Sequence, residues 1–248
     1  MDVLGIDIGG TGIKGAIINV AKGELNSDRF RLRTPQPATP AAVTQTVKEI
    51  IDYFGWKGLV GCGFPAVVQR GEIATAANIS KKWIGINAAL QFSQATGCNF
   101  VVGNDADVAG VAEMRFGAGR DKMGVVLIVT LGTGIGSSLF TDGKLVPNTE
   151  FGHIELKGRV AEKSAAYIVR EREDLSWPKW GKRVEDYLKR MQFFLWPELI
   201  IVGGGASKKH QKFLPLLKVG CGVVPAQLRN EAGIVGAAIR AAEEFETS

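Results

Sequence analysis

A glycine-rich segment near the start of the chain, Asp7–Lys14, carries residues that suit a phosphate bound together with a metal ion. It lies between the apolar runs Val3–Ile6 and Ala16–Ile18, which predicts strand, tight turn and strand. We expect the glycines to adopt positive φ and to leave bare N–H groups around an anion. Lys14 adds a positive charge, and Asp7 suits a hydrated divalent cation that accompanies the phosphate. An ordinary glycine-rich hairpin explains the glycines, but not Asp7 and Lys14 together.

Two later segments repeat this pattern. Val125–Val129 leads into the Gly/Thr segment Thr130–Gly136, and Leu199–Val202 leads into Gly203–Gly205. A Rossmann or Walker loop would instead lead from a strand into a helix. Two similar loops half a chain apart predict a duplicated domain with a cleft between the copies. The residues expected to bind phosphate are Gly9, Gly10, Thr11, Gly12, Lys14, Gly132, Thr133 and Gly134.

A second stretch for chemistry is Asn104-Asp105, which follows the apolar run Phe100–Val102. Ligands of open α/β sheets bind at the carboxyl ends of the strands, where this pair is expected. Asp105 can take the proton of a substrate hydroxyl as its oxygen attacks phosphorus, while Asn104 holds the substrate. Alternatively, Asp105 caps a helix predicted from Ala106 to Gly117, and the two roles are compatible.

Two further segments carry residues that suit a sugar. Asn78 lies in a polar loop with Trp83, and sugar sites pair amides with flat apolar rings, although Trp83 is more typical of core packing. Glu150 and His153 share one short segment. A cluster of carboxylates and imidazole suits either polyol binding or metal ligation. No cysteine lies nearby, which argues against zinc.

Composition predicts a globular protein of the cytoplasm. The 248 residues are more typical of two small domains than of one, and no apolar run approaches the about 18 residues that a membrane helix needs. The chain enters a predicted strand directly, without the features of a secretory signal. The three cysteines, Cys62, Cys98 and Cys221, are widely spaced, as is typical of buried thiols in a reducing compartment.

The positive charge is concentrated in one part of the sequence. The net charge is +5, yet the segment from Ser176 to Arg229 holds ten basic and three acidic residues. A basic sector in a phosphate-binding protein indicates a long polyanion, which we expect to follow Lys208, Lys209 and Lys212. For Lys182–Arg190 alone, a solvated helix face is the simpler interpretation.

Strands and helices alternate between these motifs. We expect a strand over Ser27–Thr34, a helical run over Ala161–Arg172 and a helix from the third loop toward Pro215. A further helix, Trp177–Leu195, is expected to bury Trp180, Val184, Leu188 and Met191.

These motifs together resemble the actin, Hsp70 and hexokinase superfamily, and within it the ROK family of sugar kinases. The stretches that carry the resemblance are Asp7–Thr11, Asn104-Asp105, Leu131–Gly136 and Glu150–His153. It implies an α/β fold of two actin-like ATPase (ribonuclease H-like) domains with an interdomain cleft. The smaller N-terminal domain is expected to comprise residues 1–106 plus a C-terminal helix 234–248, and the larger C-terminal domain residues 107–233.

Four more stretches resemble the branch of this family that phosphorylates glucose with polyphosphate: Thr34–Pro40, Ala76–Ile79, Ala112–Gly119 and Val224–Asn230. The resemblance implies that Asp105 is the catalytic base for the 6-hydroxyl of glucose. The residues implied to hold the other hydroxyls are Asn78, Asn104, Glu150 and His153. The Gly/Thr loops would bind the donor with Mg²⁺, which Asp7 holds through water. Gly203, Gly204 and Gly205 would lie at the nucleoside position of ATP.

The chain departs from the family in one respect. Many members carry a cysteine-rich zinc motif after the Gly-His pair, which ends in a sugar-binding Glu, but no cysteine occurs here between Cys98 and Cys221. We therefore expect no zinc and assign the Glu to Glu162, with Glu155 as the competing assignment. The family also implies a homodimer.

Three rival functions remain open. One is an ATP-dependent kinase for glucose, mannose or fructose. Another is a regulator like the repressors of the wider family, although the first strand leaves no room for an N-terminal helix-turn-helix. The basic sector alone would also suit nucleic acid, but that function leaves Asp105 and the Glu150/His153 segment unexplained, so we expect no nucleic-acid partner.

Overall fold

A computed structural model describes residues 1–77, 79–228 and 231–246. The chain divides into two compact units. Unit 1 comprises Met1–Ala112 and Glu231–Ser248, and unit 2 comprises Glu113–Asn230. The chain therefore passes between the units once inside a helix and once just before the last helix.

Unit 1 is built on a six-stranded sheet with the order β3-β2-β1-β5-β8, in which β4 also pairs with β2. β1 and β2 are antiparallel, whereas β1, β5 and β8 run parallel. A separate hairpin is formed by β6 and β7. The bounds are β1 Asp2–Ile8, β2 Ile13–Asn19, β3 Glu24–Leu25, β4 Phe30–Leu32, β5 Leu59–Phe64, β6 Val68–Gln69, β7 Glu72–Ile73 and β8 Asn99–Asn104.

Helices cover this sheet, with the bounds α1 Pro40–Phe54, α2 Ala88–Thr96, α3 Asp105–Phe116 and α7 Ala232–Glu246. α1 begins where the Thr39 hydroxyl accepts a hydrogen bond from the Ala42 N–H, with Pro40 in the first turn. It ends at Gly55, whose left-handed conformation is the usual helix stop. Its apolar side chains join the core of unit 1, which also holds Trp83 and Phe92.

The C-terminal helix α7 lies directly against the sheet because glycines leave it room. A Cβ at Gly5 would overlap the carbonyl oxygen of Ile234, and a Cβ at Gly61 would overlap that of Ala237. Gly236 likewise faces the carbonyl of Val108 on α3. Backbone therefore packs on backbone at this contact.

Unit 2 repeats the plan. Its five-stranded sheet has the order β11-β10-β9-β14-β15, with β9, β10 and β11 antiparallel and β9, β14 and β15 parallel. β12 and β13 form a separate hairpin. The bounds are β9 Val125–Leu131, β10 Ile135–Thr141, β11 Lys144–Val146, β12 Glu155–Leu156, β13 Arg159–Val160, β14 Leu199–Gly203 and β15 Gly222–Pro225.

The helices of unit 2 are α4 Glu162–Ala165, α5 Tyr167–Arg172 and α6 Trp177–Leu195, together with 3₁₀ turns at Phe151–His153, Gly205–Lys212 and Leu214–Leu216. α6 has the predicted bounds and buries the four predicted side chains. In the main sheet of both units, antiparallel strands come first in the sequence and parallel strands follow. The predicted duplication and the α/β class are confirmed.

Three predicted elements were wrong in detail. The strand expected over Ser27–Thr34 shrinks to β4, because the Ser27 hydroxyl accepts the Ile17 N–H in place of a backbone oxygen. The run Ala161–Arg172 breaks at Ala166, whose carbonyl, like that of Ala165, accepts the Trp180 indole N–H. The helix expected toward Pro215 is a pair of 3₁₀ turns.

Within the described residues, no helix combines the length and apolar character needed to span a membrane. Cys62 and Cys98 are buried free thiols, and Cys221 is a partly exposed one.

We predict that Gly61→Ala destabilises unit 1 by about 3 kcal/mol or more, because the methyl group has no room beside α7. The matched control is Gly181→Ala in α6. Its Cβ would lie 3.9 and 4.0 Å from the side chains of Phe213 and Leu217, so helix propensity dominates and we expect a gain of about 0.5–1 kcal/mol. Urea unfolding of both variants checks this, and equal effects of the two would contradict the close packing.

Candidate active site

The first glycine loop is closed by strand register. Ile8 pairs with Ile13 as the last pair of β1 and β2, and the Gly9 N–H donates to the Gly12 carbonyl at 3.0 Å. One pair earlier, Asp7 lies opposite Lys14, whose ammonium donates to Asp7 Oδ2 at 3.1 Å. The acid and the base of the motif thus form one partly buried ion pair at the base of the loop.

The loop glycines matter because they lack a side chain, and not because they adopt positive φ. The expectation of positive φ from the sequence was therefore wrong. Neither Gly9, Gly10, Gly12 nor the glycines of the second loop have φ in the left-handed range. A Cβ at Gly10 would meet no atom within 4 Å, so that face is open. A Cβ at Gly12 would instead overlap the Arg31 guanidinium, which donates to the exposed Thr11 carbonyl at 3.1 Å.

Asp7 and Asp105 come together at the carboxyl ends of the parallel strands. β1 pairs Asp7 with Gly63 of β5, and β5 pairs Phe64 with Asn104 of β8. A Cβ at Gly63 would lie 3.6 Å from the Asp105 Cα and 3.8 Å from Asp7 Oδ1. The missing side chain at Gly63 therefore lets Val108, at 2.9 Å from such a Cβ, the Asp105 backbone and the Asp7 carboxylate approach one point.

Asn104 provides most of the cap of α3, although the sequence had indicated Asp105 as the candidate cap. Its Oδ1 accepts the N–H groups of Ala106 and Asp107 at 2.9 and 3.1 Å, and its Nδ2 donates to the Ala66 carbonyl at 3.0 Å. Asp105 Oδ1 also accepts the Ala106 N–H, at 2.8 Å. The buried Asn104 amide is thus committed largely to the fold, and it fixes where α3 presents Asp105.

A cavity of about 390 Å³ borders the first loop within unit 1. Gly9 and Gly10 form one wall, and residues of the proline-rich linker, Thr34 and Gln36 among them, form another. The Thr34 hydroxyl donates to the Gly9 carbonyl. Asn78, expected to bind sugar, lies outside the described residues.

The second loop and the third glycine segment are neighbours in unit 2. β14 pairs Gly203 with Thr130, directly before Gly132, Thr133 and Gly134. Gly204 has φ +75°, and a Cβ there would lie 2.6 Å from the Leu131 carbonyl oxygen. The structure thus brings the predicted phosphate and nucleotide glycines together on adjacent strands.

Glu150, His153 and Glu162 form one cluster in unit 2. His153 Nδ1 lies 3.2 Å from Glu150 Oε2, and its Nε2 lies 3.6 Å from Glu162 Oε1. Burial raises the pKa of the Glu150 carboxyl above its ordinary value, and the charge of Glu162 adds to this rise, while His153 opposes it. Two carboxylates around an imidazole present hydrogen-bond acceptors and a donor to a polyol.

Glu162 also reaches the second loop, whereas Glu155 does not join the cluster. Glu162 Oε2 accepts the Ile135 N–H at 3.4 Å and would meet a Cβ at Gly134 at 2.6 Å. Glu155 is exposed on β12, and in the described chain no ion pair joins it to His153.

Sequence reasoning missed the residues that hold α4, from which Glu162 projects. The Trp180 indole N–H donates to the Ala165 and Ala166 carbonyls, and Arg183 donates to the Ser164 carbonyl at 3.2 Å. Both donors belong to α6, where the pattern indicated only a core residue and a surface charge.

The basic sector is partly neutralised. Lys208, Lys209 and Lys212 are exposed on the 3₁₀ turn, with the Lys212 ammonium 5.7 Å above the Trp177 ring. Glu185, by contrast, is buried and accepts from Lys182 and Lys189 at 2.6 and 2.9 Å and from the Lys218 N–H at 2.9 Å. Among the residues that the structure describes, no three His, Cys, Asp or Glu side chains are placed to hold a metal ion, and this includes the Glu150, His153 and Glu162 cluster.

Fold and site define a class of α/β protein in which two units, each with a glycine loop between antiparallel strands, share one topology, the actin-like ATPase fold. The sequence profile of the ROK family matches residues 3–167, and the chain belongs to the ROK family.

Named relatives cover almost the whole chain. The polyphosphate glucokinase of Mycobacterium tuberculosis (strain CDC 1551 / Oshkosh) is 50% identical over 95% of this chain and 89% of its own. That of Mycobacterium leprae (strain TN) is 45% identical over 95% and 73%. The crystal structure of the inorganic polyphosphate/ATP-glucomannokinase from Arthrobacter sp. strain KM is 46% identical, with a TM-score of 0.94 over 98% of this chain and 99% of that one.

Glu185 gives a pH prediction. Its hydrogen bonds with Lys182 and Lys189, and then with the Lys218 N–H, lower its pKa from the ordinary 4.5 to about 2. A depressed folded-state pKa adds stability above pH 4.5 that is lost as the pH falls toward 2. We therefore expect Glu185→Gln to be less stable than wild type at pH 6, with the difference shrinking through this window. Urea midpoints measured across pH check this, and a constant difference would contradict it.

Proposed function

We propose that this protein transfers a phosphoryl group from inorganic polyphosphate to the 6-hydroxyl of glucose. The observation that carries the proposal is the 50% identity to a polyphosphate glucokinase over 95% of the chain. Support comes from two glycine loops of matched register and from a carboxylate at the end of β8.

In this proposal Asp105 is the general base. The 6-hydroxyl oxygen of glucose attacks the terminal phosphorus of polyphosphate, and its proton passes to the Asp105 carboxylate. The bond from that phosphorus to its bridging oxygen breaks, so polyphosphate leaves one phosphate shorter with the electron pair on the former bridging oxygen. Asn104 positions Asp105 through the helix cap.

Glucose specificity is assigned to Glu150, His153 and Glu162, with Asn104 and Asn78. The cluster geometry supports Glu162 over Glu155, because Glu162 both contacts His153 and lies against the second phosphate loop. No zinc is needed to hold Glu162 in place, since Trp180 and Arg183 fix α4.

The phosphate groups are assigned to the two loops, and Gly203–Gly205 to the nucleoside side of ATP when that is the donor. Asp7 suits Mg²⁺ bound through water, because its partly exposed carboxylate precedes the loop and only Oδ2 is paired with Lys14. When bound, this cation would neutralise charge on the phosphates. Lys14 adds a positive charge from the same strand pair.

One observation favours ATP as a second donor and mannose as a second acceptor. The Arthrobacter relative is a polyphosphate/ATP-glucomannokinase. We also propose a cytoplasmic homodimer. The free thiols are compatible with a reducing compartment, and the dimer follows from the family resemblance. Light scattering of the purified protein tests the dimer.

We predict that Asp105→Asn lowers glucose 6-phosphate production by about 10²- to 10⁴-fold, because the amide cannot take the proton. Turnover with Mg²⁺ is measured with polyphosphate and ATP separately, and glucose affinity is measured as the control that the site still binds. Wild type without turnover on either donor would overturn the proposed function. A fully active variant would overturn only the assignment of Asp105 as the general base.

For the basic 3₁₀ turn, we predict that reversing charge at Lys208, Lys209 and Lys212 to Glu raises the polyphosphate KM and leaves glucose affinity unchanged. The control reverses three exposed lysines outside the sector, Lys22, Lys122 and Lys144. Steady-state kinetics at fixed ionic strength compares the two triple variants. Equal effects would assign the change to net charge and not to these lysines.

A further inference from the structure

A basic groove of about 600 Å³ lies in unit 2 between the β12–β13 hairpin and α6. Its lining includes five cations and one acid: Lys157, Arg159, Arg183, Lys189, Arg190 and Asp186. Leu156 and Phe193 supply apolar wall. None of the residues assigned to phosphate, sugar or nucleotide lines this groove.

Three of the five cations are held by acids. Lys157 pairs with Asp186, Arg183 donates to Glu173 at 2.9 Å, and Lys189 donates to Glu185 at 2.9 Å. These pairs fix the cations in place, so less side-chain entropy is lost when a ligand binds. They also leave the groove positive, because the acids do not match the cations in number.

Arg159 and Arg190 supply the unmatched charge. Both are exposed, and over residues 1–77, 79–228 and 231–246 neither lies within ion-pair distance of an acid. Arg190 stacks its guanidinium 5.2 Å above the Phe194 ring, which leaves its N–H groups for a ligand. Guanidinium forks match phosphate oxygens in pairs.

The groove has the capacity for several linked phosphates. Its volume falls in the range of roughly 300–1,000 Å³ that holds whole small-molecule ligands, and it far exceeds the space of one phosphate. Its side chains offer many cationic donors and few acceptors, so a polyanion fits better than a sugar or a cation. An ordinary solvated helix face would lack the second wall that the hairpin provides.

We infer that the basic groove binds a segment of inorganic polyphosphate other than the segment that donates its terminal phosphate. The inference rests on the proposed function for its choice of polyanion. It differs from the path along Lys208, Lys209 and Lys212, because no lysine of that turn lines the groove. We expect the groove to add affinity for polyphosphate chains long enough to occupy the groove and the donor position together. It adds none for short donors.

The test is direct binding of fluorescently labelled long-chain polyphosphate and of tripolyphosphate, measured by anisotropy without glucose or turnover. The variant is Arg159→Gln/Arg190→Gln. The matched control, Lys122→Gln/Lys144→Gln, removes the same charge from exposed positions outside the groove. Both variants are compared with wild type at several salt concentrations, and circular dichroism checks folding.

We expect the groove variant to bind long-chain polyphosphate about tenfold more weakly or worse, with a shallower salt dependence, and to bind tripolyphosphate as wild type does. Long-chain binding equal to that of the control would overturn the inference. So would an oligonucleotide bound more tightly than polyphosphate through the same arginines. Binding is measured here without turnover, so the two proposals can fail separately. If wild type turns over only ATP, the proposed function is overturned, whereas binding of polyphosphate in the groove is still decided by the anisotropy result.

Discussion

The register of strand pairing at the ends of β1 and β9 is the constraint on which the site residues depend. In unit 1, one register places Asp7 opposite Lys14 and beside Gly63. A shift of one residue would turn Asp7 to the other face of the sheet and separate it from Asp105. In unit 2, the same pairing places Thr130 opposite Gly136 and beside Gly203. Equivalent positions thus carry the Asp7–Lys14 ion pair in unit 1 and the uncharged pair Thr130–Gly136 in unit 2.

Much of this could be predicted from the sequence, because glycine and apolar patterns are local. The strand–turn–strand units and α6 with its buried Trp180 follow from spacing alone. From the sequence, Asp105 was the candidate cap of α3, but the Asn104 side chain accepts two N–H groups of the first turn. Adjacent short polar side chains both suit that position, and the choice depends on the Ala66 carbonyl, 38 residues away, which accepts from Asn104.

The glycines of the first loop show a second limit. Glycine predicts either positive φ or close approach, and sequence does not separate the two. In the structure a Cβ at Gly12 would overlap the Arg31 side chain, and a Cβ at Gly63 of β5 would overlap Val108, so both glycines serve close approach. The role of Trp180 in holding α4 was equally hidden, because a buried tryptophan satisfies a helical pattern whatever its N–H contacts.

The contact between α7 and the sheet of unit 1 also bears on how the chain is made. α7 belongs to unit 1 but follows all of unit 2 in the sequence, and its backbone covers β1 and β5 through Gly5 and Gly61. A ribosome therefore releases every strand of unit 2 before the helix that closes unit 1. During that interval the glycine-lined face of β1 and β5 lacks its helix, while the sheet of unit 2 is free to form. In synthesis, the second unit is thus the first that can be completed.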